Sequence, residues 1–210
     1  MGNIKTRCVI IGGGDCSLEL LKLNISSDDY IICADSGYDI AIEAEIKPDL
    51  VIGDFDSVKT FVQDVEKITL PIEKDVTDCL AAYYEGVKRG FTDFLLFGGT
   101  GGRFEHTFAN ISVMANASRE SKSFKIIDDK HTFYSITDST IKLPYLPNKQ
   151  ISVFAFGENA VGVTEKGFHY SIENYTLEPF YPIGISNNII SDYGEISVEK
   201  GTLIIIETQM

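Results

Sequence analysis

Asp54 and Asp56 stand one residue apart in Gly53-Asp54-Phe55-Asp56-Ser57, directly after the apolar run Leu50 to Gly53. In extended backbone alternate side chains share a side, so both carboxylates would face one hard cation. Mg²⁺ takes one or two carboxylates together with waters and substrate phosphates, and this spacing could serve it without a full protein cage. The same residues also fit a solvated Asp-rich turn in which Asp56 caps the next helix. Three more polar clusters follow apolar runs: Ala34-Asp35-Ser36-Gly37, Glu73-Lys74-Asp75-Val76-Thr77-Asp78 and Gly98-Gly99-Thr100-Gly101-Gly102-Arg103. Asp75 and Asp78 have the spacing of a helix cap and its first-turn acid, and Lys74 is either a phosphate contact or a solvated lysine. The glycine run would let backbone N–H groups approach an anion at a helix N-terminus, with the planar fork of Arg103 matching phosphate oxygens. It has neither the Walker nor the dinucleotide spacing. Glu105 and His106 open the following helix, where a histidine is more often a structural hydrogen bonder than a catalyst. Carboxylates, an arginine, a lysine and a glycine cradle make up the set that metal-assisted phosphoryl chemistry needs. Neither a GxSxG elbow nor an HExxH motif is present.

These clusters need elements to hold them. Runs Arg7 to Ile11, Tyr30 to Ala34, Leu50 to Gly53, Lys67 to Pro71, Phe94 to Phe97 and Phe124 to Asp128 are short, apolar and rich in β-branched residues, and predict strands. Between them Leu80, Tyr84 and Val87, and again Phe104, Phe108, Ile111 and Ala115, fall at helical spacing. That alternation predicts a mostly parallel sheet covered by helices, in which ligands bind outside the carboxyl ends of the strands, where all four clusters lie. From about His131 the helical period is lost and strands punctuated by Gly and Pro follow, ending in an expected strand Thr202 to Thr208 buried on both faces. The expected organisation is an α/β N-terminal domain, 1–130, followed by a smaller all-β domain, 131–210.

The 210 residues are 44% hydrophobic and can bury a sizeable core, and the net charge of −13 opposes sequence-independent attachment to nucleic acid or anionic membrane. No apolar run is long enough for a signal-peptide core or a spanning helix, so a cytoplasmic protein is expected. Cys8, Cys16, Cys33 and Cys79 form no CxxC pair and read as reduced, mostly buried thiols.

The order and spacing of ADSG (Ala34 to Gly37), PDLVIGDFDS (Pro48 to Ser57), KDVTD (Lys74 to Asp78) and GGTGGRFEH (Gly98 to His106) resemble the thiamine pyrophosphokinase family. KGFHYSI (Lys166 to Ile172) and GISN (Gly184 to Asn187) are similar to that family's thiamine-binding β domain. The resemblance implies an α/β catalytic domain, a β-sandwich domain, a homodimer with sites shared between subunits, and Mg²⁺-dependent transfer of pyrophosphate from ATP to thiamine with release of AMP. It implies metal and phosphate roles for Asp54, Asp56 and Asp78, with Asp75 and Thr77 supporting. Arg103 would touch the triphosphate, Asp35 and Gly37 would lie on the nucleotide side with Lys74, Gly99 and His106, and Tyr170, Ser186 and Asn187 would meet thiamine. The family commonly has Asp where Glu105 stands and Gly where Ser36 stands. Two rival readings are a haloacid-dehalogenase-like phosphatase, with Asp54 as nucleophile and Asp56 as its acid/base partner, and a non-catalytic nucleotide- or vitamin-binding regulator.

Overall fold

The computed structural model describes residues 5–71 and 75–210. It divides into two compact units, one reaching as far as Val113 and including Lys122–Asp129, the other comprising Met114–Ser121 and Lys130–Met210. The first unit holds strands β1 (Arg7–Ile11), β2 (Asp29–Ala34), β3 (Leu50–Gly53), β4 (Glu66–Thr69), β5 (Asp93–Phe97) and β6 (Ser123–Ile127). They lie parallel in the order β4-β3-β2-β1-β5-β6. Helices α1 (Leu18–Asn24), α2 (Gly37–Glu43), α3 (Asp78–Lys88) and α4 (Phe104–Arg119) follow strands, as crossover connections in a parallel sheet require.

Central strands of such a sheet are buried on both faces, which is why their residues run apolar without alternation. Val9, Ile11, Ile31, Cys33, Val51, Leu95 and Phe97 share one core with Leu21 of α1 and with Tyr38 and Ala41 of α2. Phe94, next in sequence to Leu95, meets Tyr83 of α3 edge-on at 4.9 Å and stacks on Phe124 at 5.8 Å. Gly86 permits that approach of α3, since a Cβ there would come within 2.6 Å of the Phe94 ring.

The second unit contains β7 (His131–Thr137), β8 (Thr140–Pro144), β9 (Lys149–Lys166), β10 (Ile172–Leu177), β11 (Tyr193–Ser197) and β12 (Lys200–Gln209), with every pairing antiparallel. The first half of β9 pairs with β12, and its second half pairs with β10 and β11. One long strand thus serves three ladders around a shared core of Ile151, Val153, Val163, Phe168, Leu177, Ile196, Leu203 and Ile205. This is the sandwich expected from the strand-rich second part of the sequence. Ile204 and Ile205 of β12, which point to opposite faces, are both buried, whereas Ile206 is half-buried.

Three local expectations change. No helix lies between β3 and β4 among the described residues, so Asp56 caps none. The cap of α3 is Thr77, whose side chain accepts from Leu80 N at 3.2 Å, in place of the expected Asp75. The run predicted as Lys67 to Pro71 forms a strand only over Glu66–Thr69, mostly exposed at the sheet edge. Among the described residues no helix is long and apolar enough to cross a membrane.

Candidate active site

The strand order reverses between β1 and β5, and such a switch point is where a parallel sheet binds ligands, in a crevice at the carboxyl ends of the strands. The two loops are tied by backbone bonds that continue past the strands: Gly12 N to Phe97 O, Gly14 N to Gly98 O and Asp15 N to Thr100 O, at 2.8, 2.9 and 3.1 Å. Contact this close requires glycine, since a Cβ on Gly98, whose φ is +61°, would meet Gly12 O at 2.3 Å. Thr100 Oγ1 donates to Asp128 and Asn110 Nδ2 donates to Gly99 O, both at 2.8 Å, which fixes the second loop. The crevice is a cavity of about 320 Å³ walled by glycine backbone, with Asp35, Thr77, Asp78, Arg103 and His106 on its lining.

Asp35, Asp54 and Asp56 each bring a carboxylate oxygen within 4.8 Å of the others. The arrangement is not the extended one expected from sequence. β3 ends at Gly53, Phe55 adopts φ +63°, and Asp54 Oδ1 accepts from Asp56 N at 3.3 Å. A bulky residue in the left-handed region is strained, and Phe55 is held there by packing against the core cluster of the first unit. The turn, and not strand alternation, gathers the two acids. Asp35 also has positive φ, +48°, and its Oδ1 is buried without a hydrogen-bond partner. Burial raises the Asp35 carboxyl above its usual range against the Ser36 amide, which lowers it, and the charges of Asp78, Asp54 and Asp56 add to the rise. A buried acceptor surrounded by like charges lacks a positive partner, and hard oxygen donors at this spacing suit a divalent cation such as Mg²⁺. Asp78 lines the cavity but falls outside the cluster of three oxygens, whose third member is Asp35.

Arg103 is exposed and its Nε donates to Glu105 Oε1 at 2.7 Å. The Glu105 carboxylate therefore holds the guanidinium at the rim of the cavity that Arg103 lines. Ser36 has a matching compensation, because its Oγ would lie 2.1 Å from a Cβ at residue 13, which is glycine. Gly37 does not line the cavity. It packs on β1, where a Cβ would be 1.9 Å from Ile11 O. Gly99 and His106 are on the lining, Asp75 is exposed and off it, and Lys74 lies outside the described residues. The sequence reading missed Gly13, Gly14 and Asp15, although Gly12-Gly13-Gly14-Asp15 follows the first strand as the other clusters follow theirs. It also missed the lining residues Cys79 and Asn110, while Ser57 and Thr100 belong to clusters it had singled out.

In the second unit Tyr170 and Ser186 are exposed, and Ser186, at φ +57°, donates its N–H to Ser152 Oγ at 3.1 Å. Asn187 is buried and its amide is fully used: Oδ1 accepts from Tyr170 N and Asn188 N, while Nδ2 donates to Tyr170 O and Glu165 Oε2. No donor or acceptor of its side chain is left for a ligand. Phe168, within the KGFHYSI stretch, is buried in the core.

A doubly wound α/β unit with an acidic, glycine-walled crevice at its switch point, followed by an antiparallel β unit, defines the class of protein. The model of the thiamin pyrophosphokinase catalytic domain matches residues 21–127, and that of the thiamin pyrophosphokinase vitamin B1 binding domain matches residues 138–203. Thiamine pyrophosphokinase of Bacillus subtilis is 28% identical over 208 residues, covering 95% of this chain and 97% of that protein. The crystal structure of thiamine pyrophosphokinase from Bacillus subtilis has a TM-score of 0.89 at 25% identity, covering 97% of this chain and 99% of the other. That from Geobacillus thermodenitrificans has 0.87 at 25% identity, covering 98% of each. The chain belongs to the thiamin pyrophosphokinase family, enzymes that diphosphorylate thiamine. The phosphatase alternative finds no footing, because Asp54 follows β3 and not the first strand, and the glycine loop that it leaves unused walls the cavity.

Proposed function

We propose that the crevice of the first unit binds ATP with Mg²⁺ and that the chain transfers the terminal pyrophosphoryl group to the hydroxyl of thiamine, releasing AMP. The observation that carries this reading is the meeting of three carboxylate oxygens, one of them buried and unpartnered, beside a glycine-walled cavity. Asp35, Asp54 and Asp56 would hold the cation, with Asp78 adding negative charge from the lining. Bound there, Mg²⁺ supplies positive charge to phosphate oxygens and to the charge that grows on the leaving group.

The chain's own groups do the rest. Backbone N–H groups of the loop around Gly99 and the start of α4 would cradle phosphate oxygens, and His106, on the first turn of α4 and on the cavity lining, would donate to one. Arg103 leaves Glu105 for the triphosphate, exchanging one charge-assisted pair for another. Thiamine's hydroxyl oxygen then forms a bond to the β-phosphorus as the bond to the α–β bridging oxygen breaks. AMP departs with that oxygen, and the hydroxyl proton is released. Positioning and charge supply most of such an acceleration. Tyr170 and Ser186 would receive the flat pyrimidine and the cationic thiazolium, in a second unit that serves as the thiamine-binding domain and follows a catalytic domain ending near residue 130. The homodimer, with each site drawing on both subunits, belongs to the same proposal.

The test is incubation of the chain with ATP, Mg²⁺ and thiamine. Stoichiometric AMP and thiamine diphosphate are expected. ADP with thiamine monophosphate, or inorganic phosphate alone, would overturn the pyrophosphoryl step.

A further inference from the structure

We propose that Glu165, in the second half of β9, is a positioning residue for thiamine: through Asn187 it fixes the loop that presents Tyr170 and the neighbouring Ser186. This rests on the proposal that thiamine lies against those two exposed residues.

Glu165 is buried, 4% exposed, and stands in register between Ile172 of β10 and Ile196 of β11. A carboxyl in so apolar a setting costs stability unless it makes a needed hydrogen bond. Its partner is Asn187 Nδ2, at 3.1 Å. The orientation of that amide is settled by the backbone around it. Oδ1 accepts from Tyr170 N at 3.1 Å and Asn188 N at 2.9 Å, while Nδ2 donates to Tyr170 O at 2.7 Å. A flipped amide would set oxygen against oxygen at Tyr170 and N–H against N–H. The remaining Nδ2 hydrogen therefore points at residue 165, and only an acceptor there completes the clamp on both peptide groups of Tyr170.

The surrounding bonds show what the clamp controls. His169 N donates to Asn188 O and Ile190 N to Gly167 O, both at 2.9 Å, so residues 167–170 are laced to 187–190. Asn187 also exchanges both backbone bonds with Ile151 at 2.8 Å, and Ser186 is tied to Ser152. The buried Glu165–Asn187 pair thus sets the spacing of the exposed Tyr170 and Ser186, the first through direct hydrogen bonds and the second through the adjoining peptide. Burial pushes the Glu165 carboxyl up to about 7, so near neutrality a neutral acceptor is close to its natural state. Glutamine, whose carbonyl oxygen can take the same bond, should replace it well, and an apolar residue should not.

Steady-state kinetics on the full chain separate these cases. Glu165→Leu should raise the KM for thiamine about tenfold, in the range seen when a supporting hydrogen bond to a binding group is lost, with the KM for ATP unchanged. Glu165→Gln should keep the KM for thiamine near the wild-type value. Should the Leu variant fail to fold, Glu165→Asp, which withdraws the acceptor by one methylene, should show the same selective rise in smaller measure. A wild-type thiamine KM in the folded Leu variant (or in the Asp variant where Leu does not fold), or a Gln variant as impaired as Leu, overturns the proposal. Tyr170→Ala tests the underlying reading separately: an unchanged thiamine KM there overturns the thiamine site itself. A raised KM there, with Glu165→Leu unaffected, overturns only the positioning role.

Discussion

Asp35, Asp54, Asp56 and Asp78 gather negative charge around an oxygen that has no hydrogen-bond partner. Like charges this close repel, and a bound cation offsets that repulsion. Asp54→Asn or Asp56→Asn should therefore leave the fold intact while turnover falls by at least about a hundredfold, since each removes charge at the proposed Mg²⁺ site. Turnover at saturating Mg²⁺ is the measurement, and a rate near wild type in either variant would return the pair to a solvated turn. Arg103 poses a different question because its guanidinium is exposed and already paired with Glu105. Arg103→Lys keeps the charge and loses the planar fork that matches two phosphate oxygens. It should raise the KM for ATP or lower turnover far more than it alters thiamine affinity. The opposite pattern would assign the glycine loop to the other substrate.

At the scale of elements, α3 begins with a cap that two residues could have supplied. Thr77 makes the capping bond and Asp75 does not, so Thr77→Ala should cost about 1 kcal/mol in a urea titration, while Asp75→Asn should stay within about 0.5 kcal/mol. Strand β9 carries the element's second test. Glu165 faces Ile172, Ile196 and the Asn187 amide, and no charged neighbour contributes to its raised value, which burial causes first and the Asn187 bond opposes. An acid with a raised folded-state value leaves the folded protein binding more protons than the unfolded chain. Its favourable contribution is complete below about 4.5 and is lost as pH rises to about 7. Thermal midpoints of the wild type should show that decline over this window, and Glu165→Gln should flatten it. Elements of this kind differ in how far the sequence exposes them. β1, β3 and β12 were legible because a strand buried on both faces must read as an apolar run, and the clusters after β2, β3 and β5 because ligands sit at carboxyl ends. The turn at Phe55 was not, since its positive φ is imposed by packing of a ring that local composition does not mark. Gly12 to Asp15 obeyed the rule used elsewhere, but nothing in the local sequence signals that this run zips through its backbone to Gly98 and Thr100.

For the whole molecule, a net charge of −13 favours a cationic vitamin over a bare nucleotide, so the anionic partner must arrive with its charge masked by metal. The second unit adds large apolar side chains left exposed, among them Phe180, Tyr181, Ile183 and Ile185, on a stretch adjoining Ser186. A contiguous segment of this kind suits association with another chain, in keeping with the proposed homodimer. If each site takes its acids from one subunit and its thiamine groups from the other, defects placed in the two units should complement. Asp56→Asn and Ser186→Ala chains are suitable if each homodimer is nearly inactive alone. After subunit exchange, random pairing makes about half of the dimers hybrid, and each hybrid holds one doubly damaged and one intact site. Roughly a quarter of all sites, and of wild-type activity, should then return. Were each site built within one chain, every site in every dimer would keep one defect and the mixture would stay at the level of its parents. Exchange is verified independently by mass-tagged subunits, so an inactive mixture with hybrids present would refute the shared site and leave the pyrophosphoryl chemistry standing.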